Sequence, residues 1–142
     1  MRQEATTLYS AAGIQLRCAC SEMMRAQGHA EPTGQAKITP GFNLPAHYVI
    51  HTVGPIIPDG IPTKEQKRQL ASCYRSCLQI AEEHGLRSIA FCCISTGVFR
   101  FPRKLAAEIA VKTVRTYPRK HIKTIIFNVF TDTDYDIYQQ LI

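Results

Sequence analysis

The sequence contains no tryptophan, no long apolar stretch and no run of five or more basic residues. A membrane-spanning helix needs about 20 consecutive apolar residues. Because no stretch of this chain approaches that length, we expect no membrane association. The segment 1–16 lacks the apolar core of a secretory signal peptide. Together these absences predict a cytoplasmic protein.

The chain also lacks internal repeats and low-complexity segments, which favours a globular fold over a repetitive or disordered one. Its length of 142 residues is typical of one domain that buries about two-thirds of its unfolded surface. We therefore predict a single domain spanning residues 1–142.

The formal net charge is +6, from 17 Lys and Arg against 11 Asp and Glu. A basic balance favours anionic partners. The basic residues are dispersed along the chain, so a solvated basic surface is favoured over direct contact with an anionic ligand. A nucleic-acid-binding domain is the weakest candidate, because the sequence has no interleaved aromatic and basic residues and no known nucleic-acid motif.

No two of the six cysteines have the CxxC spacing typical of a zinc site. Cys92 and Cys93 are adjacent, so in a strand they point to opposite faces, and adjacent cysteines rarely meet the geometry of a disulfide. We predict free, buried thiols and no metal ligand at Cys18, Cys20, Cys73, Cys77, Cys92 and Cys93.

Periodicity divides the chain into helices and strands. Apolar residues at helical spacing predict helices at 7–27, 64–84, 103–116 and 132–141. Apolar and β-branched runs predict strands at 48–53, 88–94 and 124–130, with a strand or extended segment at 36–42. The apolar run 88–94 fits a strand buried on both faces. Gly28 and Gly85 fit helix ends, and Asp132 or Thr133 fits the start of the last helix. The alternation predicts an α/β layered domain with a largely parallel sheet.

In such sheets ligands bind outside the carboxyl ends of the strands. That rule indicates the loops that follow Val53, Ile94 and Phe130. The loop after Ile94 connects a strand to a helix, and its Ser, Thr and Gly residues suit it to phosphate.

Within that loop, Gly97 can take backbone angles closed to other residues and can admit a ligand to the main chain. Successive N–H groups, the hydroxyls of Ser95 and Thr96 and the positive end of the next helix can surround phosphate oxygens. Many structural connections share this pattern, so spacing alone leaves both interpretations open. Phe99 and Phe101 either pack in the core or line a ligand, and core packing is favoured for Phe101.

Two longer segments resemble the macrodomain family: residues 41–55 (GFNLPAHYVIHTVGP) and residues 88–102 (SIAFCCISTGVFRFP). The pattern Phe91-Cys92-Cys93-Ile94 and the ending 127–130 (FNVF) look most like the zinc-containing microbial branch, whose members remove ADP-ribose from modified proteins. The resemblance implies a three-layer α/β/α sandwich with a mixed, mostly parallel sheet.

The resemblance also implies the roles of individual residues. The loop that wraps the diphosphate and distal ribose of ADP-ribose in the family corresponds to Ser95, Thr96, Gly97, Val98 and Phe99. Phe130 corresponds to the residue near the adenine. Arg100 replaces a glycine that is frequent in the family, and a solvent-facing side chain is favoured there over a contact with phosphate.

The family's N-terminal portion has no counterpart that we recognise in this chain. It would hold two strands, an asparagine-rich turn and a glycine-rich catalytic loop, which in the zinc branch also carries the metal ligands. We therefore assign no catalytic residue and no metal ligand, and zinc is expected only where that loop is present. His51 is interpreted as a structural histidine rather than a base.

One of the absent strands would lie between strands 48–53 and 88–94. Its absence predicts exposed sheet edges, marginal stability, self-association and weak binding of ADP-ribose. Three functions stay open: an ADP-ribosyl hydrolase acting on ADP-ribosylated proteins, a non-catalytic ADP-ribose-binding module, and the disfavoured nucleic-acid-binding domain.

Overall fold

A computed structural model of the chain describes residues 14–29 and 32–142. The described helices are α1 (Ile14–Gln27), α2 (Lys64–Glu83), α3 (Arg103–Thr116) and α4 (Asp132–Leu141). The described strands are β1 (Ala36–Pro40), β2 (Tyr48–Thr52), β3 (Ser88–Phe91) and β4 (Thr124–Phe127). The start of the predicted helix at 7–27 lies outside the described residues, and its end before Gly28 is confirmed.

Local sequence fixes both ends of α2. At its start, the Thr63 hydroxyl accepts from the N–H of Gln66, and the Gln66 side chain accepts from the N–H of Thr63. This reciprocal pair satisfies two donors that the first turn leaves free. At its end, Gly85 has a φ of +64°, and the N–H of Leu86 bonds back to the carbonyl of Ala81. The predicted glycine stop is therefore confirmed.

The described strands form two separate pairs. β1 and β2 are antiparallel, with Ala36 opposite Thr52, and β3 and β4 are parallel, with Phe91 opposite Phe127. Parallel and antiparallel pairing together agree with the predicted mixed sheet. In the part of the chain that the structure describes, no strand pairs with the second edge of β2 or of β3.

The core lies between the β3–β4 pair and the helices α2, α3 and α4. Aromatic rings join the layers: Tyr74 of α2 lies 5.0 Å from Phe91, and Phe127 lies 4.9 Å from Tyr138 of α4, measured between ring centroids. Among the described residues, no helix is both long enough and apolar enough to cross a membrane.

Strands β3 and β4 are shorter than the sequence predicts. β3 ends at Phe91 rather than Ile94, and β4 ends at Phe127 rather than Phe130. The last hydrogen bond between these two segments runs from the N–H of Asn128 to the carbonyl of Phe91. Beyond this bond both segments turn away into loops. Apolar residues therefore continue along the sequence after the strand pairing has stopped.

Burial of β3 on both faces is also wrong. Ser88 and Ala90 are exposed, whereas Phe91 is buried, because the helices of the core cover only one face of this strand pair. Cys92, which follows Phe91 and points the other way, is exposed as well.

Two further predictions need correction. The N-cap of α4 is Thr131, whose hydroxyl accepts from the N–H of Asp134, and not Asp132 or Thr133. None of the six cysteines is in a disulfide, but only Cys73 and Cys77 are buried, and Cys18 is exposed on α1. The prediction of buried thiols is therefore wrong for Cys18 and for Cys92.

Candidate phosphate-binding site

The three loops indicated by the sequence lie at one edge of the fold and are joined to each other. The N–H of Ile57, in the loop after β2, donates to the carbonyl of Phe99 at 2.8 Å. Arg103, at the start of α3, donates to Thr131 and Asp134 after β4. The loops after β2, β3 and β4 therefore meet around the N-terminal end of α3.

The loop at residues 94–99 is a tight turn held by its own backbone. The N–H of Arg100 donates to the carbonyl of Gly97 at 3.0 Å, and the N–H of Phe101 donates to the carbonyl of Ser95 at 2.9 Å. The left-handed conformations belong to Ser95 (φ +65°) and Arg100 (φ +64°), not to Gly97. Such angles cost a non-glycine residue free energy, and they persist where surrounding contacts enforce them.

The loop presents three consecutive N–H groups, those of Gly97, Val98 and Phe99. Within the described residues, no acceptor bonds to any of the three. A Cβ placed on Gly97 would meet no atom within 4 Å, so this face of the loop opens to space. Helix α3 begins four residues after Phe99, and no side chain caps its N-terminus. Free N–H groups beside a positive helix end form a site for an anion.

The two hydroxyls of the loop turn inward in this structure. The Thr96 hydroxyl donates to the carbonyl of Cys93 at 3.1 Å. The Ser95 hydroxyl oxygen is buried without a hydrogen-bond partner and lies against Gly54. The hydroxyls therefore shape the loop here, and the unbonded backbone N–H groups are the donors left for a ligand.

The aromatic residues around the loop differ in burial. Phe130 is 80% exposed, whereas Phe101 is buried in the core, as expected for a packing residue. Phe99 is half-buried. An exposed ring at Phe130 has little role in the core and offers a flat apolar face to a ligand.

Arg100 is exposed, as the sequence favours, but its side chain also has a partner in the protein. Its Nη1 donates to the carbonyl of Pro58 at 3.0 Å, so the side chain ties the 94–99 loop to the loop after β2. From the sequence, only a phosphate contact or exposure to solvent is expected for Arg100, because Pro58 is 42 residues away along the chain.

His51 has the structural setting that the sequence favours. Its Nε2 lies 2.9 Å from the Thr39 hydroxyl and 3.9 Å from the Cys20 sulfur, and burial lowers the pKa of His51. Among the described residues, no three His, Cys, Asp or Glu side chains come together as a metal site would require.

The chain is similar in sequence to a known family and to several known proteins. The family model described as Macro domain matches residues 3–110. Protein-ADP-ribose hydrolase of Treponema medium is 55% identical over 94% of this chain and 52% of the relative. The chain thus spans about half the length of several curated relatives that it matches. A macro domain-containing protein of Ralstonia nicotianae is 48% identical, over 93% of this chain and 72% of the relative.

Solved structures agree with the fold. The Oceanobacillus iheyensis macrodomain with ADP is 38% identical and superimposes with a TM-score of 0.88, over 96% of this chain and 72% of that one. The Trypanosoma brucei macrodomain in complex with ADP-ribose is 34% identical with a TM-score of 0.81, over 94% of this chain and 54% of that one.

Proposed function

This chain belongs to the macro domain family, and we propose that it binds ADP-ribose through the 94–99 loop and Phe130. The observation that carries the proposal is the row of free N–H groups at Gly97, Val98 and Phe99, which ends four residues before the start of α3. A diphosphate offers oxygens to such a row and negative charge to the positive helix end.

The rest of the ligand follows from the positions of the neighbouring residues. The distal ribose lies beside the 94–99 loop, in which Ser95 and Thr96 maintain the turn. The adenine lies against the ring of Phe130, because a purine gains free energy by stacking on an aromatic face. Relatives solved with ADP and with ADP-ribose support this ligand class.

For the whole protein, we propose removal of ADP-ribose from ADP-ribosylated proteins. The relatives named protein-ADP-ribose hydrolase support this activity. In such a reaction water attacks the anomeric carbon of the proximal ribose and the modified side chain departs. The contribution of the 94–99 loop is to hold the diphosphate, so that the ribose keeps a fixed position relative to that water.

The alternative is a non-catalytic module that binds ADP-ribose. It is retained because the chain spans only about half of the hydrolase relatives and because we assign no catalytic residue to it. The described residues do not fit a zinc site, since they bring no three suitable side chains together. No step of the reaction is therefore derived through a metal.

Calorimetric titration with ADP-ribose tests the binding proposal. We expect binding with a Kd weaker than about 1 µM, and submicromolar binding would contradict the prediction of an incomplete cleft.

Gly97→Asp places a carboxylate where the diphosphate would lie, and Gly97→Asn is its uncharged match. Loss of binding in the Asp variant with retention in the Asn variant supports the site, and equal binding by both refutes it.

A second experiment separates hydrolase from binding module. The chain is incubated with an ADP-ribosylated protein, with and without added zinc, and released ADP-ribose is measured. Release assigns hydrolysis to this chain, whereas binding without release supports the non-catalytic module.

Self-association through the second edges of β2 and β3 is a further proposal, which sedimentation over a range of concentrations tests. The cytoplasmic location stays a prediction.

A further inference from the structure

The segment 54–60, between β2 and α2, lies against the 94–99 loop. We name this segment the strap. It contacts the loop at two points and the next residue at a third: Gly54 packs on Ser95, the N–H of Ile57 bonds to Phe99, and the carbonyl of Pro58 accepts from Arg100. The contacts follow the order of the two segments, so the strap runs alongside the loop.

The first contact depends on the absence of a side chain at Gly54. A Cβ at this position would overlap the hydroxyl oxygen of Ser95 and would lie 2.8 Å from Cγ2 of Ile94. The Ser95 hydroxyl is thus buried in the space that a residue-54 side chain would occupy. Any larger residue at position 54 must displace the side chains of Ser95 and Ile94, and Ser95 is one of the two residues that carry the left-handed turn.

The other two contacts fix the far end of the loop. Ile57 is fully buried in the core, so its N–H is a rigid donor to the carbonyl of Phe99 at 2.8 Å. Arg100 has a φ of +64°, and its side chain bonds to Pro58. The side-chain bond compensates part of the cost of a backbone angle that glycine would adopt without strain.

We propose that Gly54 and Arg100 are positioning residues that hold the 94–99 loop in the conformation that binds diphosphate. The inference rests on the proposed ADP-ribose binding. Neither residue needs to touch the ligand. Gly54 sets the start of the loop through Ser95, Arg100 sets its end through Pro58, and the free N–H groups lie between these two fixed points.

Gly54→Ala tests the first positioning residue. We expect the affinity for ADP-ribose to fall by about tenfold or more, because misplaced binding groups lose much of their effect. The amide hydrogens of Arg100 and Phe101, which bond within the loop, should exchange faster. Both measurements are made on the whole chain under conditions in which it is folded.

Gly41→Ala is the matched control. A Cβ at Gly41 would overlap the carbonyl oxygen of Ala46, so the clash is as close as that at Gly54 but falls on backbone rather than on a side chain. Gly41 lies before the start of β2, whereas Gly54 follows its end, and the five-residue strand separates them by about 17 Å. The control should lose thermal stability but keep the affinity and the exchange rates of the loop. Equal affinity losses in both variants would overturn the role of Gly54.

Arg100→Gly and Arg100→Lys test the second positioning residue. Arg100→Gly relieves the backbone angle and removes the bond to Pro58, so we expect unchanged or higher thermal stability with weaker ADP-ribose binding. Arg100→Lys keeps a donor and should restore part of the affinity. Wild-type affinity in Arg100→Gly would refute this role.

The two proposals fail separately. If the wild-type chain does not bind ADP-ribose, the proposed function fails, yet faster exchange of the Arg100 and Phe101 amides in Gly54→Ala still supports the strap. If the chain binds and neither variant changes affinity or exchange, the strap proposal fails alone.

Discussion

The guanidinium of Arg103 donates to the Asp134 carboxylate at 2.6 Å, and this pair joins the start of α3 to the start of α4. The Asp134 side chain is 8% exposed and that of Arg103 is 44% exposed. The hydroxyl of Thr131 also bonds to the same carboxylate oxygen. Because Phe130 directly precedes Thr131, the Arg103–Asp134 pair holds the backbone next to the proposed adenine contact in place.

Asp134→Asn keeps the size of the side chain and removes its charge. Since a hydrogen bond to a charged group contributes about 1.5–3 kcal/mol and Arg103 is partly solvated, we expect a loss of about 1–2 kcal/mol. Urea unfolding measures the change. Glu65→Gln is the control, because its pair with Arg68 is 3.5 Å long and exposed on both sides. A loss no larger than that of the control would contradict the role of Asp134.

Features set by local sequence were predictable. Gly85 and the apolar periodicity of α2 place that helix to within a residue. The strand–loop–helix pattern and the family resemblance together indicated the 94–99 loop. Strand ends were not predictable, since apolar residues continue past Phe91 while the pairing with β4 stops.

Contacts between segments that are distant along the chain were also not predictable from the sequence. Gly54 marks only the end of a strand in the sequence, and nothing there indicates that the Ser95 hydroxyl occupies its open side. The partner of Arg100 was missed for the same reason. The pattern gives the composition of the loop, whereas the packing of the strap determines its conformation.

Phe130→Ala tests the aromatic contact proposed for adenine. Since stacking of a base on an aromatic ring contributes about 1–3 kcal/mol, we expect affinity for ADP-ribose to fall about 5- to 150-fold. Thermal stability should change little because the ring is exposed. Phe130→Trp should retain binding. Tyr48→Ala is the control, because Tyr48 is also an exposed aromatic residue but lies at the start of β2. Wild-type affinity in Phe130→Ala would remove Phe130 from the site.

Glu82 near the end of α2 organises the turn that leads into β4. Its carboxylate accepts from the backbone N–H groups of Lys120, His121 and Ile122 and lies 3.0 Å from the His121 ring nitrogen. These hydrogen bonds, with that from Ile122 the largest effect, lower the pKa of Glu82 from 4.5 to about 2. The charged form is thus favoured in the folded chain.

This lowered pKa predicts an acid-dependent loss of stability. Because the folded pKa lies below the unfolded one, the contribution of Glu82 is fully present above the unfolded pKa and disappears as pH falls from about 4.5 towards 2. The free energy of unfolding of Glu82→Gln should therefore be lower than wild type at pH 7 and should approach it near pH 2–3. Glu83→Gln is the neighbouring control. A difference that does not depend on pH would contradict this assignment.

The rate at which the buried thiols react measures how often the core opens. Burial, followed by the nearby Cys73 and Cys92, raises the pKa of Cys77 to about 12. Very little of Cys77 is therefore present at pH 8 as the thiolate, the form that reacts. We expect a maleimide to modify Cys18 and Cys92 first, and Cys73 and Cys77 only as the chain unfolds, with mass spectrometry locating the label.

The labelling rate of Cys77 also tests the marginal stability predicted from unpaired strand edges. Modification of a buried thiol through global opening scales with the unfolded fraction. A marginally stable chain should therefore label Cys77 within minutes to hours at 25 °C, and saturating ADP-ribose should slow that labelling by the factor 1 + [L]/Kd. Protection of Cys77 for days, with a cooperative melt at high temperature, would show that the described core needs no further strand.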